Sequence, residues 1–131
     1  MILRVVDPVK VNPLLQRDFP QGDLTDFLIN PLNVCLVSGE SGTLFAWRGP
    51  GVFEAHVFYA VRGAEALRLA GSMQDTMRRA YGAQYFWSLL PLENRAARMF
   101  CRLIGWKSQG HLQTQYGSEE MFVSETIPCR H

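Results

Sequence analysis

The chain has 131 residues, 47% of them hydrophobic and 19% charged, with a formal net charge of +1. That is enough apolar material for one ordinary core, so a single domain over residues 1–131 is expected and a disordered chain is excluded. The balanced charge supplies no field to recruit nucleic acid or an anionic membrane, and neither is expected as a partner.

Cysteines stand at 35, 101 and 129, widely spaced, with no C-x-x-C pair. Neither a disulfide framework nor a metal site follows from such a set. Residues 1–10 carry one short apolar run interrupted by Arg4 and Asp7, unlike a signal peptide, and no stretch approaches the length of a membrane span. A cytoplasmic location is the expectation. Eleven of the thirteen basic residues are arginine, a side chain suited to bidentate phosphate or carboxylate contacts.

In chain order, residues 2–6 form a short β-rich run closed by Asp7-Pro8. Residues 9–30 read as one or two short helices broken around Pro20-Gln21-Gly22, with Asp23 placed to cap the second and Leu24, Phe27 and Leu28 turned inward. Residues 33–38 and 43–48 read as strands joined by a turn at 39–42, and Gly49-Pro50-Gly51 separates the second of these from a strand over 52–61. Together they make an antiparallel meander. Over 64–81, Ala66, Leu69, Ala70, Met73, Met77, Ala80 and Tyr81 recur at three and four, the pattern of a long amphipathic helix ended by Gly82. Residues 83–89 are an apolar run of strand length. From about 93 to 104, Ala97, Phe100, Leu103 and Ile104 fall on one stripe and Arg95, Arg98 and Arg102 on a basic face, with Asn94 at the start and Gly105 as the stop. Residues 107–114 and 120–124 fit a terminal hairpin around Gly117, whose edge would expose Phe122 and Val123 and offer a route to homo-oligomers.

This order of elements packs naturally as an α+β fold with a mixed, mostly antiparallel sheet. The strand over 52–61 places Glu54 and His56 on one face with Val52 and Phe58, while Phe53, Val57 and Tyr59 pack behind. Either Glu54 or His56 is a candidate base. At the junction that follows, Arg62-Gly63 opens the long helix, whose free amides and positive dipole end suit a phosphate.

Asn94, Ala97 three residues on, and Gly105-Trp106 at eleven and twelve resemble the coenzyme-A-binding helix of the GNAT N-acetyltransferase superfamily, written N-x-x-A and ending in G-F. The resemblance implies a GNAT-like fold in which the strand after the long helix splays away to leave a cofactor cleft. It implies acetyl-CoA as cosubstrate and an amine as acceptor. The cofactor would lie on Tyr59, Ala60, Val61, Arg62, Gly63, Ala64, Glu65 and Ala66, with Asn94, Ala97 and Arg98 from the second helix. The family's phosphate turn, Q/R-x-x-G-x-G/A, is matched at Arg62, but Glu65 and Leu67 stand where its glycines belong. The family's tyrosine acid, seven residues after the asparagine, is replaced by Cys101, and Tyr59, Tyr81 or Tyr85 are the substitutes on offer. A backbone amide around Tyr59 to Val61 would supply the oxyanion donor. Phe19, Phe27 and Trp47 are candidates for an apolar cleft wall.

The short length and the phrase H-x-x-Y-x-x-R-G, at His56, Tyr59, Arg62 and Gly63, are also similar to short GNAT-like proteins of tailed bacteriophages. That likeness implies an alternative: a catalytically weak or inactive protein serving as a virion or head-assembly component among other phage virion proteins.

Overall fold

A computed structural model describes residues 1–124 and leaves Cys129 outside the described residues. The elements run β1 (Leu3–Arg4), α1 (Pro8–Leu15), α2 (Thr25–Ile29), β2 (Val34–Ser38), β3 (Ser41–Gly49), β4 (Val52–Phe58), α3 (Gly63–Tyr81), β5 (Tyr85–Pro91), α4 (Arg95–Leu103), β6 (Lys107–Thr114) and β7 (Gly117–Val123). One sheet holds all seven strands, in the order β1-β2-β3-β4-β5-β7-β6. Every pairing is antiparallel except that of β4 with β5.

Local chemistry explains where the elements begin and end. Asp7 accepts a hydrogen bond from the Val9 amide ahead of Pro8, a residue whose missing N–H costs nothing in a first helical turn. Asp23 lies one residue before the N-cap of α2 and accepts from both the amide and the hydroxyl of Thr25. The Asn12 side chain bonds Asp23 Oδ1 and the Leu24 amide, fastening α1 to α2. The β2–β3 turn is tighter than the expected one: Ser38 pairs directly with Ser41 across Gly39-Glu40, and Gly39 takes a φ of 60°. Gly82, at φ 66°, ends α3 in the left-handed conformation and donates to Met77 O.

The two faces of the sheet bury different cores. Phe45, Phe53, Met73, Met77, Phe86, Trp106 and Phe122 cluster on the side of α3. Val11, Leu15, Leu24, Cys35, Leu44 and Phe58 cluster under α1 and α2. Gly42 is obligatory to the second cluster, because a Cβ there would come within 2.2 Å of the Phe58 ring.

Three expectations change. Ala80 is exposed and Gln74 takes a buried place on α3, where its carbonyl accepts from the Trp106 indole at 3.3 Å. Leu103 is 62% exposed, and Cys101 is the buried residue of α4. Finally, β7 lies inside the sheet between β5 and β6, so Phe122 is fully buried and the free edge belongs to β6. The reason is pairing order: the hairpin folds back on β5 through its second strand, and the first is left outermost.

Candidate active site

Pairing of β4 with β5 covers only Val52↔Tyr85, Phe53↔Phe86 and Glu54↔Trp87. Beyond Glu54, β4 stays with β3 as far as Phe58↔Gly42, while β5 follows β7 as far as Pro91↔Glu119. Two strands committed to different neighbours must diverge, and the gap opens where the ladder stops. At its apex the Ser88 hydroxyl donates to the Ala55 carbonyl, replacing the backbone donor that the lost pairing removes. Ser88, a small polar residue within its apolar run, is therefore a structural clasp that strand patterning alone does not reveal.

A cleft of about 720 Å³ occupies the gap, within the roughly 300–1,000 Å³ range of small-molecule sites. Its walls include Leu44, His56 and Phe58 from one face of the sheet and Thr43, Phe45, Ala55 and Tyr59 from the other. The cleft thus passes through the sheet. Leu15, Asp18 and Phe19 line it on the α1 side, and Arg62, Gly63, Ala66, Asn94 and Ala97 line it from α3 and α4.

Of the residues singled out from sequence, His56, Tyr59, Val61, Arg62, Gly63, Ala66, Asn94, Ala97 and Cys101 meet at this cleft. Phe19 joins them, whereas Phe27, Trp47, Tyr81 and Tyr85 lie elsewhere. Glu54, Ala60, Ala64, Glu65 and Arg98 are not among its lining residues. Besides Glu54, which is paired with His56 and Arg48, two of these have visible engagements. The Ala60 amide donates to Ser41 Oγ at 2.8 Å. Arg98 gives Nε to Glu120 at 2.7 Å and Nη1 to the Leu92 carbonyl at 2.7 Å, a structural use of its guanidinium. Charge periodicity on the helix could not distinguish that use from cofactor binding, because Glu120 arrives from a strand more than twenty residues later.

Asn94 is the N-cap of α4 and accepts from the Ala97 amide at 3.2 Å. At the start of α3, Gly63 takes a φ of 61°, and Arg62 precedes it with no side-chain cap on the first turn. The opening amides of the helix are thereby left without intrahelical partners. No ion pair among the described residues holds Arg62.

On the α1 face, Glu54 Oε2 lies 2.8 Å from His56 Nε2, and Glu54 Oε1 lies 2.8 Å from Arg48 Nη2. Hydrogen bonding by His56, with smaller help from its charge and from Arg48, outweighs burial and holds the Glu54 carboxyl below its usual range. On the other face, burial pushes the Tyr59 phenol up to about 12, against the opposing hydrogen bond with Thr43. Burial likewise pushes the Cys101 thiol up to about 12. Among the described residues, no group of side chains is placed to hold a metal ion, and no helix is long and apolar enough to cross a membrane.

No family model and no curated protein matches this sequence. Solved structures do match the fold. A spermidine N-acetyltransferase (SpeG F149A mutant) from Vibrio cholerae superposes with a TM-score of 0.76 at 9% identity, covering 95% of this chain and 94% of that one. The ribosomal L7/L12 alpha-N-protein acetyltransferase RimL superposes at 0.70 with 13% identity, covering 98% and 94%. A ribosomal-protein-S5-alanine acetyltransferase from Vibrio fischeri gives 0.63 at 11% identity, covering 79% and 67%. The fold is that of the GNAT N-acetyltransferases, a mixed sheet splayed at its one parallel pair.

Proposed function

We propose that this protein transfers an acetyl group from acetyl-CoA to an amine. The observation that carries the reading is the cleft through the sheet, with an uncapped helix start and Arg62 on one side and His56 on the other. The pyrophosphate rests on the amides opening α3 and on Arg62. The pantetheine arm follows Tyr59 to Val61 toward Asn94, in the gap that β5 vacates.

The amine enters from the α1 side. It attacks the thioester carbonyl, a C–N bond forms, the C–S bond breaks, and the amine proton passes to the Glu54–His56 pair. Since the Ala60 amide is bonded to Ser41, the oxyanion donor comes from a neighbouring amide of the same segment. The departing sulfur leaves as a thiolate. A group held near 12 gives up a proton to a thiolate of ordinary acidity, about 8.5, only uphill, so Cys101 serves as a hydrogen-bond donor to the sulfur, while the Tyr59 hydroxyl is bonded with Thr43 and donates to Met73 Sδ. Among the described residues, Asp18 is the only carboxylate lining the cleft, which suits an acceptor with one ammonium group.

Titration calorimetry with acetyl-CoA tests the donor side. Micromolar binding is expected, and Arg62→Ala should weaken it by about 1–3 kcal/mol. Absence of binding at millimolar ligand would overturn the reading. Glu65, an acid in the first turn of α3 that competes with a bound phosphate, favours a second reading, a catalytically weak or inactive protein, which the bacteriophage resemblance would place in a virion. Sedimentation from the native source separates the two, since a virion component travels with the particle and an enzyme does not.

A further inference from the structure

Glu54 and His56 enter the proposed reaction as a pair, and the hydrogen bonds around them divide the labour. Glu54 is only 13% exposed at its side chain and does not line the cleft, whereas His56 is half exposed and does. The register of β3 against β4 shifts between Trp47 and Gly49, so Arg48 has no cross-strand partner and its guanidinium turns onto Glu54. Arg48 holds Oε1 through Nε at 3.0 Å and Nη2 at 2.8 Å, which leaves Oε2 for His56.

We infer that Arg48 and Glu54 are positioning residues that hold the neutral His56 as its Nε2–H tautomer, leaving Nδ1 as the nitrogen that accepts the proton of the incoming amine. The role of Nδ1 rests on the acetyltransferase reading; control of the tautomer does not. A carboxylate has no proton to give, so His56 must donate through Nε2 to keep this hydrogen bond, and its lone pair is then on Nδ1. Among the described residues, the other charged groups lining the cleft, Asp18 and Arg62, make no ion pair with the imidazole.

The consequence is an unusual order of severity. In Glu54→Gln, Arg48 can only bond the amide oxygen, because both are otherwise donors, and the amide NH₂ is turned toward His56. The imidazole must then accept at Nε2 and carry its proton on Nδ1, which abolishes the base. Glu54→Ala merely frees the ring. Turnover should therefore fall about 100-fold or more in Glu54→Gln but only about ten-fold in Glu54→Ala. Removing Arg48 as well, in Arg48→Met with Glu54→Gln, lets the amide rotate and should restore about ten-fold over Glu54→Gln alone.

The direct readout is the ¹⁵N spectrum of histidine-labelled protein at about pH 9, where an ordinary imidazole is neutral, with His56 assigned by loss of its signals in His56→Ala. The proton is expected on Nε2 in the wild type, on Nδ1 in Glu54→Gln, and back on Nε2 in the double variant. A wild-type Nδ1–H, or a tautomer indifferent to Glu54→Gln, overturns the assignment whatever the activity. Equal turnover losses in Glu54→Ala and Glu54→Gln overturn the positioning role. Correct tautomers with no acetyl transfer to any amine would instead overturn the acetyltransferase reading and leave the tautomer assignment standing.

Discussion

Glu54 and Glu120 are each gripped by two cationic or protonatable side chains, yet they do opposite work. Glu120 is 2% exposed, and its ion-pair partners among the described residues are two arginines from α4, Arg98 at 2.7 Å and Arg102 at 2.8 Å. Arg102 also lies over the Phe122 ring at 5.0 Å. Burial alone would raise the Glu120 carboxyl, but hydrogen bonds from Ser108 and Arg98 and the charges of Arg102 and Arg98 bring it down to about 2. That network is closed, and it ties α4, and therefore Asn94, to the β6–β7 hairpin. Glu54 has one arginine and one histidine, the second of which opens onto the cleft. Replacing an arginine, which never gives up its proton, by a histidine converts a clamp into a group that can exchange protons.

The sharpest way to break this comparison is to remove each carboxylate. Glu120→Ala leaves two guanidinium groups around a buried vacancy and should cost about 3 kcal/mol in urea denaturation. Glu54→Ala, with half-exposed partners, should cost less than about 1 kcal/mol. Equal losses would show that both networks are structural.

The pH dependence separates them next. Because the folded Glu120 carboxyl lies below its ordinary 4.5, its contribution is complete above that value and is lost as the pH falls toward about 2. The stability gap between wild type and Glu120→Gln should therefore narrow across that window. A gap that stays constant down to pH 2 would mean that the carboxylate is not held by its charge. Glu54 is also lowered, so its smaller contribution fades in the same direction.

The smallest effect on turnover belongs to Cys101, whose thiol faces both the cleft and the α4 packing. Cys101→Ala should cost about 1 kcal/mol of stability and little turnover. A large loss of turnover without loss of stability would make the thiol a proton donor after all.

Much of this was legible along the chain. The α3 stripe, the Gly82 stop, the Asn94 cap and the three-strand meander follow from local periodicity and capping chemistry, which act within a few residues. The α+β class follows from their order, and Glu54 and His56 share a face because a strand alternates with period two. Tertiary structure alone decided the rest. That β7 rather than β6 pairs with β5, that Ser88 clasps Ala55 at the splay, and that Arg98 serves Glu120 all depend on which strand comes to lie beside which. The same holds for the bulge that turns Arg48 onto Glu54. A sequence determines the faces each element presents, but the partner that meets a face comes from a distant segment, and only the closed packing of the sheet selects it.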